Sequence, residues 1–185
     1  VQGHLESTLS RLFKKDIVIN GTSRTDAGVH AYGQRATFSM DSGIPADRLS
    51  RVINNALSGQ EKGPFAISPV RIVKAEEKPA GFHARFDSKG KKYIYKIKNT
   101  PDIDIFLRNY VYHVDRPLDA DAMRLAAAEL KGIHDFKSFE ASGGTERETT
   151  VRTIYDIGIT EPGEDGMLQL HVSGDGFLYN MVRII

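Results

Sequence analysis

Gly21-Thr22-Ser23-Arg24-Thr25-Asp26-Ala27-Gly28-Val29-His30-Ala31 lies between a short apolar run, Ile17-Val18-Ile19, and an alternating one, Ala36-Thr37-Phe38-Ser39-Met40. That setting predicts a loop joining two strands, the second beginning at Tyr32. The loop gathers an arginine, an aspartate and a histidine between glycines that let the backbone turn sharply. Loops carried by rigid strands are where chemistry usually sits. On residue types alone the plainer reading is favoured: a turn whose Asp26 only accepts bonds from neighbouring N–H groups.

Working outward, the pattern is that of an α+β protein. Leu5, Leu9, Leu12 and Phe13 form one apolar stripe and predict a helix over 2–14. Pro45 suits a helix first turn, and Leu49, Val52, Ile53 and Ala56 continue at helical spacing to residue 57. Residues 58–64 read as a loop, and 65–75 as a strand broken near Pro69. A helix lies between strands twice, which suggests helices packed on one face of a mixed sheet.

A second strand-rich region follows. Ser88-Lys89-Gly90 turns the chain into a strand over 91–98, with Tyr93, Tyr95 and Ile97 on one face and Lys92, Lys96 and Lys98 on the other. Residues 119–131 read as a helix, capped by Asp119 or Asp121 and ended by Gly132. His134-Asp135 follows, for which a helix-end or loop role is expected. The polar stretch 141–150 reads as a mobile loop in which Arg147, with Arg152 beyond it, could meet phosphate. Strands from Val151 towards Ile159 and over 168–172 make a hairpin. Gly174-Asp175-Gly176 then turns into a helix start. The expected division is an N-terminal half, 1–80, carrying the Asp26 loop, and a C-terminal half, 81–185.

Composition narrows the function classes. Among 185 residues, 40% are hydrophobic and 26% charged, as in ordinary globular chains. No apolar run is long enough to span a bilayer. There is no cysteine, which excludes thiolate chemistry and cysteine-based zinc sites. The six histidines lack tight i, i+4 pairing, so no metal is expected. Net charge is only +1, but from Arg71 to Lys98 nine Lys/Arg stand against three Asp/Glu, a local balance of +6. Such a stripe either attracts a phosphate backbone or is a solvated strand face whose lysines blunt an edge.

Four separated words then carry a resemblance: residues 21–31, the stretch Phe82-His83-Ala84-Arg85-Phe86 with the basic Tyr93-x-Tyr95 strand, His134 to Phe139, and Gly174 to Arg183. Together and in this order they resemble the TruA family of tRNA pseudouridine synthases, over nearly the whole chain. The resemblance implies a pseudouridine synthase fold with a central cleft between two halves. It also implies a strand before the first helix and more structure after the last. Asp26 would be the catalytic residue, Arg183 its cationic partner, and Tyr93 the side chain lying on the target base. The implied substrate is the anticodon stem-loop of tRNA, shared by two subunits of a homodimer. No cofactor and no membrane are implied, and a bacterial source would place the protein in the cytoplasm.

The implied chemistry makes four demands. An ionised carboxylate must stand near the ribose C1′, as nucleophile or as a stabiliser of positive charge, and Asp26 fits. An arginine within about 4–6 Å keeps it charged, the part implied for Arg183. A long guanidinium must brace the gap left by an extruded base, for which Arg24 is the candidate. The detached uracil must be held while it turns; an aromatic face does so for roughly 1–3 kcal/mol, and Tyr93 fits. His30 is a further substrate-binding candidate on the same loop. Arg85, Lys91 and Lys92 are candidates for the RNA backbone. Two other readings remain: a non-catalytic RNA-binding module using the basic stripe and paired tyrosines, and a hydrolase using Asp26 and His30.

Overall fold

The first helix, α1 (Gln2–Phe13), buries the stripe expected of it. Leu9 is fully buried and Leu5 nearly so, and Lys14 closes the helix in the left-handed conformation at φ 54°. The computed structural model describes residues 1–41, 43–59, 67–144 and 148–185. Its contacts divide the chain into two units, Val1–Ser88 and Lys89–Ile185.

In the first unit, α1 is followed by β1 (Asn20–Gly21), β2 (Ala36–Thr37) and α2 (Ala46–Ser58). Leu5 and Leu9 of α1, Ile53 and Leu57 of α2, and Ile17 and Ile19 form one core. A fully buried leucine such as Leu57 contributes about 1.5–3 kcal/mol relative to exposure. The strands are much shorter than the alternation predicts. They pair antiparallel over two residues only, Asn20 with Thr37 and Gly21 with Ala36. Ile17 and Ile19 do not join a ladder, because α1 supplies their partners. The Ile17 N–H donates to the Ser10 hydroxyl, and the Ile19 N–H to the Glu6 carboxylate, both at 3.0 Å. The Gln2 amide donates to the Ile19 carbonyl at 3.3 Å.

The strand expected over 65–75 is corrected in the same way. Its first two residues lie, with 60–64 of the preceding loop, outside the described residues, and 67–75 forms no strand. The Asn54 side chain of α2 takes the place of a neighbouring strand. Its Oδ1 accepts from the Ile72 N–H at 2.7 Å and its Nδ2 donates to the Ile72 carbonyl at 2.8 Å. A side-chain amide here imitates a paired peptide, satisfying backbone groups that must find partners.

The second unit holds a five-stranded sheet in the order β4-β3-β7-β6-β5. Its elements are β3 (Lys91–Asn99), β4 (Tyr112–Val114), α3 (Ala120–Glu129), β5 (Gly132–Asp135), β6 (Val151–Ile159), β7 (Met167–Gly174) and α4 (Met181–Ile184). All pairings are antiparallel except β3 with β4. The sheet is therefore mixed. The β6–β7 hairpin is where the alternation puts it. Leu168, Leu170 and Val172 of β7 are buried and the residues between them are partly exposed.

Helices α3 and α4 cover the same sheet face. Ala120 and Met123 of α3 pack with Ile97, Ile159, Leu168 and Leu170. Met181 of α4 packs with Phe136, Ile154 and Val172. A β-bulge between Ile154 and Asp156 makes this possible. Without the extra residue, Ile154 would share a face with Asp156; with it, Ile154 is 1% exposed in the core. Helix α3 starts where Asp119 predicts, its carboxylate accepting from the Ala122 N–H at 2.9 Å. Arg124 ties the helix to the sheet by donating to the Ile159 carbonyl at 3.1 Å and pairing with Asp121 and Glu161.

His134 and Asp135 belong to β5, paired with Arg152 and Val151 of β6, rather than to a loop. Asp135 accepts from the Thr150 hydroxyl and from the Lys137 N–H, and these bonds hold its carboxyl below the ordinary range. Arg147 of the polar loop lies outside the described residues.

Candidate active site

The Asp26 loop leaves and re-enters β1 and β2 through a tied base. The Thr22 N–H donates to the Arg35 carbonyl at 2.9 Å, and the Thr22 hydroxyl to the same oxygen at 3.1 Å. The Gln34 amide donates to the Ser23 carbonyl at 2.6 Å. Thr22 is buried, whereas Arg24, Asp26 and His30 are all exposed. Between base and tip the Val29 N–H closes a turn on the Asp26 carbonyl at 3.1 Å. Gly28 stands at its third position with φ 81°, a conformation glycine reaches without cost. The loop thus presents three chemically capable side chains to solvent on a fixed stem.

Arg85 stands in the same unit, in a turn docked on β2. The His83 N–H donates to the Asp87 carboxylate at 2.7 Å and the Asp87 N–H returns to the His83 carbonyl at 3.0 Å. Ala84 is buried with its N–H 3.5 Å from the Thr37 hydroxyl. Arg85 is exposed beside it. The Phe82–Phe86 stretch is therefore folded against β2, the strand that follows the Asp26 loop.

The second unit carries Lys91, Lys92, Tyr93 and Arg183. Tyr93 lies opposite Val172 on β7 and packs against the Phe136–Ile154–Val172 core. Its ring meets that of Phe177 edge-on, at 5.2 Å between centroids and 90° between planes. From Phe177 the chain runs through Leu178 into α4, where Met181 is fully buried and Arg183 exposed. The unit therefore brings the tyrosine and the helix bearing the arginine to one side of its sheet. Lys92 is exposed. Lys98 is a correction to the basic face: it is 9% exposed, and its ammonium bonds the Asp165 carbonyl at 2.5 Å and carboxylate at 3.2 Å. It braces the β6–β7 turn instead of facing a partner.

Among the described residues no group of three or more His, Cys, Asp or Glu is placed to hold a metal. No helix among them is long and apolar enough to cross a membrane. Two surface concavities, one at Asn54–Arg71 and one at Ile97–Met123, include none of the expected site residues.

A family profile for tRNA pseudouridine synthases matches residues 126–185. The tRNA pseudouridine synthase A of Ruminiclostridium cellulolyticum is 46% identical over 185 residues, all of this chain and 71% of that protein. The chain belongs to the tRNA pseudouridine synthase A family. The protein of that name from Brevibacillus brevis is also 46% identical with the same coverage. tRNA pseudouridine synthase A 2 of Clostridium tetani is 43% identical over all of this chain and 70% of its own length. The α+β fold, with a mixed sheet and helices on one face, fits the synthase family.

Two features of this synthase's second unit escape the sequence reading. Phe177 lies in the Gly174–Arg183 word, and its ring is the neighbour of Tyr93. Asp175, in the same turn, accepts from the Thr153 N–H at 3.1 Å and its own N–H returns to the Thr153 carbonyl at 3.1 Å. The only signal available was the crowding of Gly, Asp and Phe into one short turn.

Proposed function

We propose that this protein is an isomerase converting uridine to pseudouridine in tRNA. The reaction breaks the bond from uracil N1 to ribose C1′, turns the base and joins C5 to the same carbon; C5 gives up its proton and N1 takes one up, so the product is an isomer of the substrate. The observation that carries the reading is identity of 46% with a tRNA pseudouridine synthase A over all 185 residues of the chain.

The residues divide the work by chemistry. The Asp26 carboxylate acts at C1′, as nucleophile or as a countercharge. Arg183 keeps it ionised once a docked nucleotide has displaced water, since a nearby cation favours the charged form of a carboxylate. Arg24, two residues before Asp26, fills the space of the extruded base. Tyr93 holds the loose uracil by stacking, and His30 adds a contact from the loop tip. Arg85, Lys91 and Lys92 meet the RNA backbone, whose shape and 2′-hydroxyls are the usual handle on helical RNA. The anticodon stem-loop target, the homodimer and a cytoplasmic, membrane-free setting belong to the same reading.

The test is to incubate the protein with tRNA transcripts and map pseudouridine by base-specific chemical stops. The reading expects conversion at a defined position in the anticodon stem-loop. Tight binding with unmodified RNA overturns it in favour of a binding module.

A further inference from the structure

We infer that Phe177 is a positioning residue for Tyr93, held in place by a rigid turn, Gly174-Asp175-Gly176, that is anchored to β6. The inference rests on the proposal that Tyr93 stacks on the uracil. A stacking ring is useful only if its plane is fixed before the base arrives, because misplacement by an ångström can cost about a hundredfold in rate. Tyr93 sits near the start of β3, two residues from the Lys91–Gly174 pair that ends the β3–β7 ladder. Backbone alone does not fix a tyrosine's plane there; a second side chain must.

Phe177 is placed to do it. Its ring is perpendicular to that of Tyr93 at 5.2 Å, an arrangement aromatic pairs prefer. The ring also folds back over Gly174: a Cβ added at that glycine would lie 3.5 Å from Phe177 Cζ. The same Cβ would lie 2.6 Å from the Thr153 carbonyl oxygen, so the turn is pressed against β6 as closely as glycine allows. Asp175 locks that contact through its reciprocal pair of bonds with Thr153. Beyond Phe177, Leu178 and Met181 are buried in the core that Tyr93 also touches. One turn therefore sets both the tyrosine's plane and the start of the helix carrying Arg183.

The experiment compares Phe177→Leu and Phe177→Tyr with the unaltered protein. It records melting, tRNA affinity, single-turnover pseudouridine formation and the ring-proton shifts of Tyr93, assigned with Tyr93→Phe. Phe177→Leu is expected to lose the ring-current shift at Tyr93 and slow the chemical step by about tenfold, with tRNA affinity changed less than about twofold. Phe177→Tyr is expected to restore both. Wild-type rate in Phe177→Leu overturns the inference, as does a slowed rate that Phe177→Tyr leaves unrescued. So does loss of rate only in step with loss of folded protein. Tyr93→Ala separates the two claims: full activity there defeats the stacking role itself, whereas an inactive Tyr93→Ala beside a fully active Phe177→Leu defeats only the bracket.

Discussion

Removing the amide of Asn54 should loosen residues 67–75 from the first unit. Two bonds are at stake, from the Ile72 N–H at 2.7 Å and to the Ile72 carbonyl at 2.8 Å. Each contributes about 0.5–1.5 kcal/mol net, so Asn54→Ala should cost about 1–3 kcal/mol. With a urea slope of about 2 kcal/mol per molar, the midpoint should fall by about 0.5–1.5 M. Asn54→Asp discriminates the mechanism. It keeps an acceptor for the N–H but sets a carboxylate against a carbonyl oxygen, which raises the carboxyl pKa in the folded state. A raised folded pKa contributes stability at low pH that is lost as pH rises through it, so this variant alone should gain stability relative to Asn54→Ala on acidification. Urea titrations at pH 7 and pH 4, with hydrogen exchange at the Ile72 amide, measure both effects. An unchanged midpoint for Asn54→Ala with undiminished Ile72 protection would refute the claim that a side chain replaces a strand here.

Three further outcomes follow from the same geometry. Arg124→Ala should destabilise the second unit by about 1–2 kcal/mol in urea titration, and Arg124→Lys should recover less than half, since a point charge cannot span a carbonyl and two carboxylates. Gly174→Ala should cost about 1–3 kcal/mol, because its Cβ meets the Thr153 carbonyl at 2.6 Å, while Gly3→Ala in α1, with open space around it, should stabilise slightly; thermal melts compare them. Acid sensitivity has a defined sign. Glu6 is held low by the Gln2 amide and the Ile19 N–H, Asp135 by the Thr150 hydroxyl and the Lys137 N–H, and Asp165 by the Met167 N–H and Lys98. Depressed carboxyls contribute stability above their unfolded pKa of about 4 and lose it as pH falls through the folded values, so urea midpoints should be flat near neutrality and drop below about pH 4. Glu6→Gln should make that drop shallower.

Periodicity made the second unit readable and the first only partly so. β3, the β6–β7 hairpin and α3 appear where alternation and caps put them, because their partners are backbone and their apolar faces meet one core. In the first unit the same apolar runs failed as strands. Ser10 and Glu6 of α1 and Asn54 of α2 take up backbone groups that a neighbouring strand would otherwise pair, and no pattern in 17–19 or 67–75 reports that substitution. The bulge at Ile154–Asp156 and the burial of Lys98 were likewise invisible, since both depend on register with a distant strand. The chemically capable residues stand in the family words, while the Phe177 contact leaves no trace in sequence, because a ring's neighbour is a matter of turn geometry and not of composition.

The central claim, that the exposed carboxylate of Asp26 does the chemistry, is tested most directly by tritium release from tRNA transcribed with uridine labelled at C5. The account predicts that the unaltered protein frees tritium to water as the new bond forms at C5. Asp26→Asn should bind the same tRNA within about twofold yet release tritium at least about a thousandfold more slowly. Release by Asp26→Asn at a rate near that of the unaltered protein would contradict it.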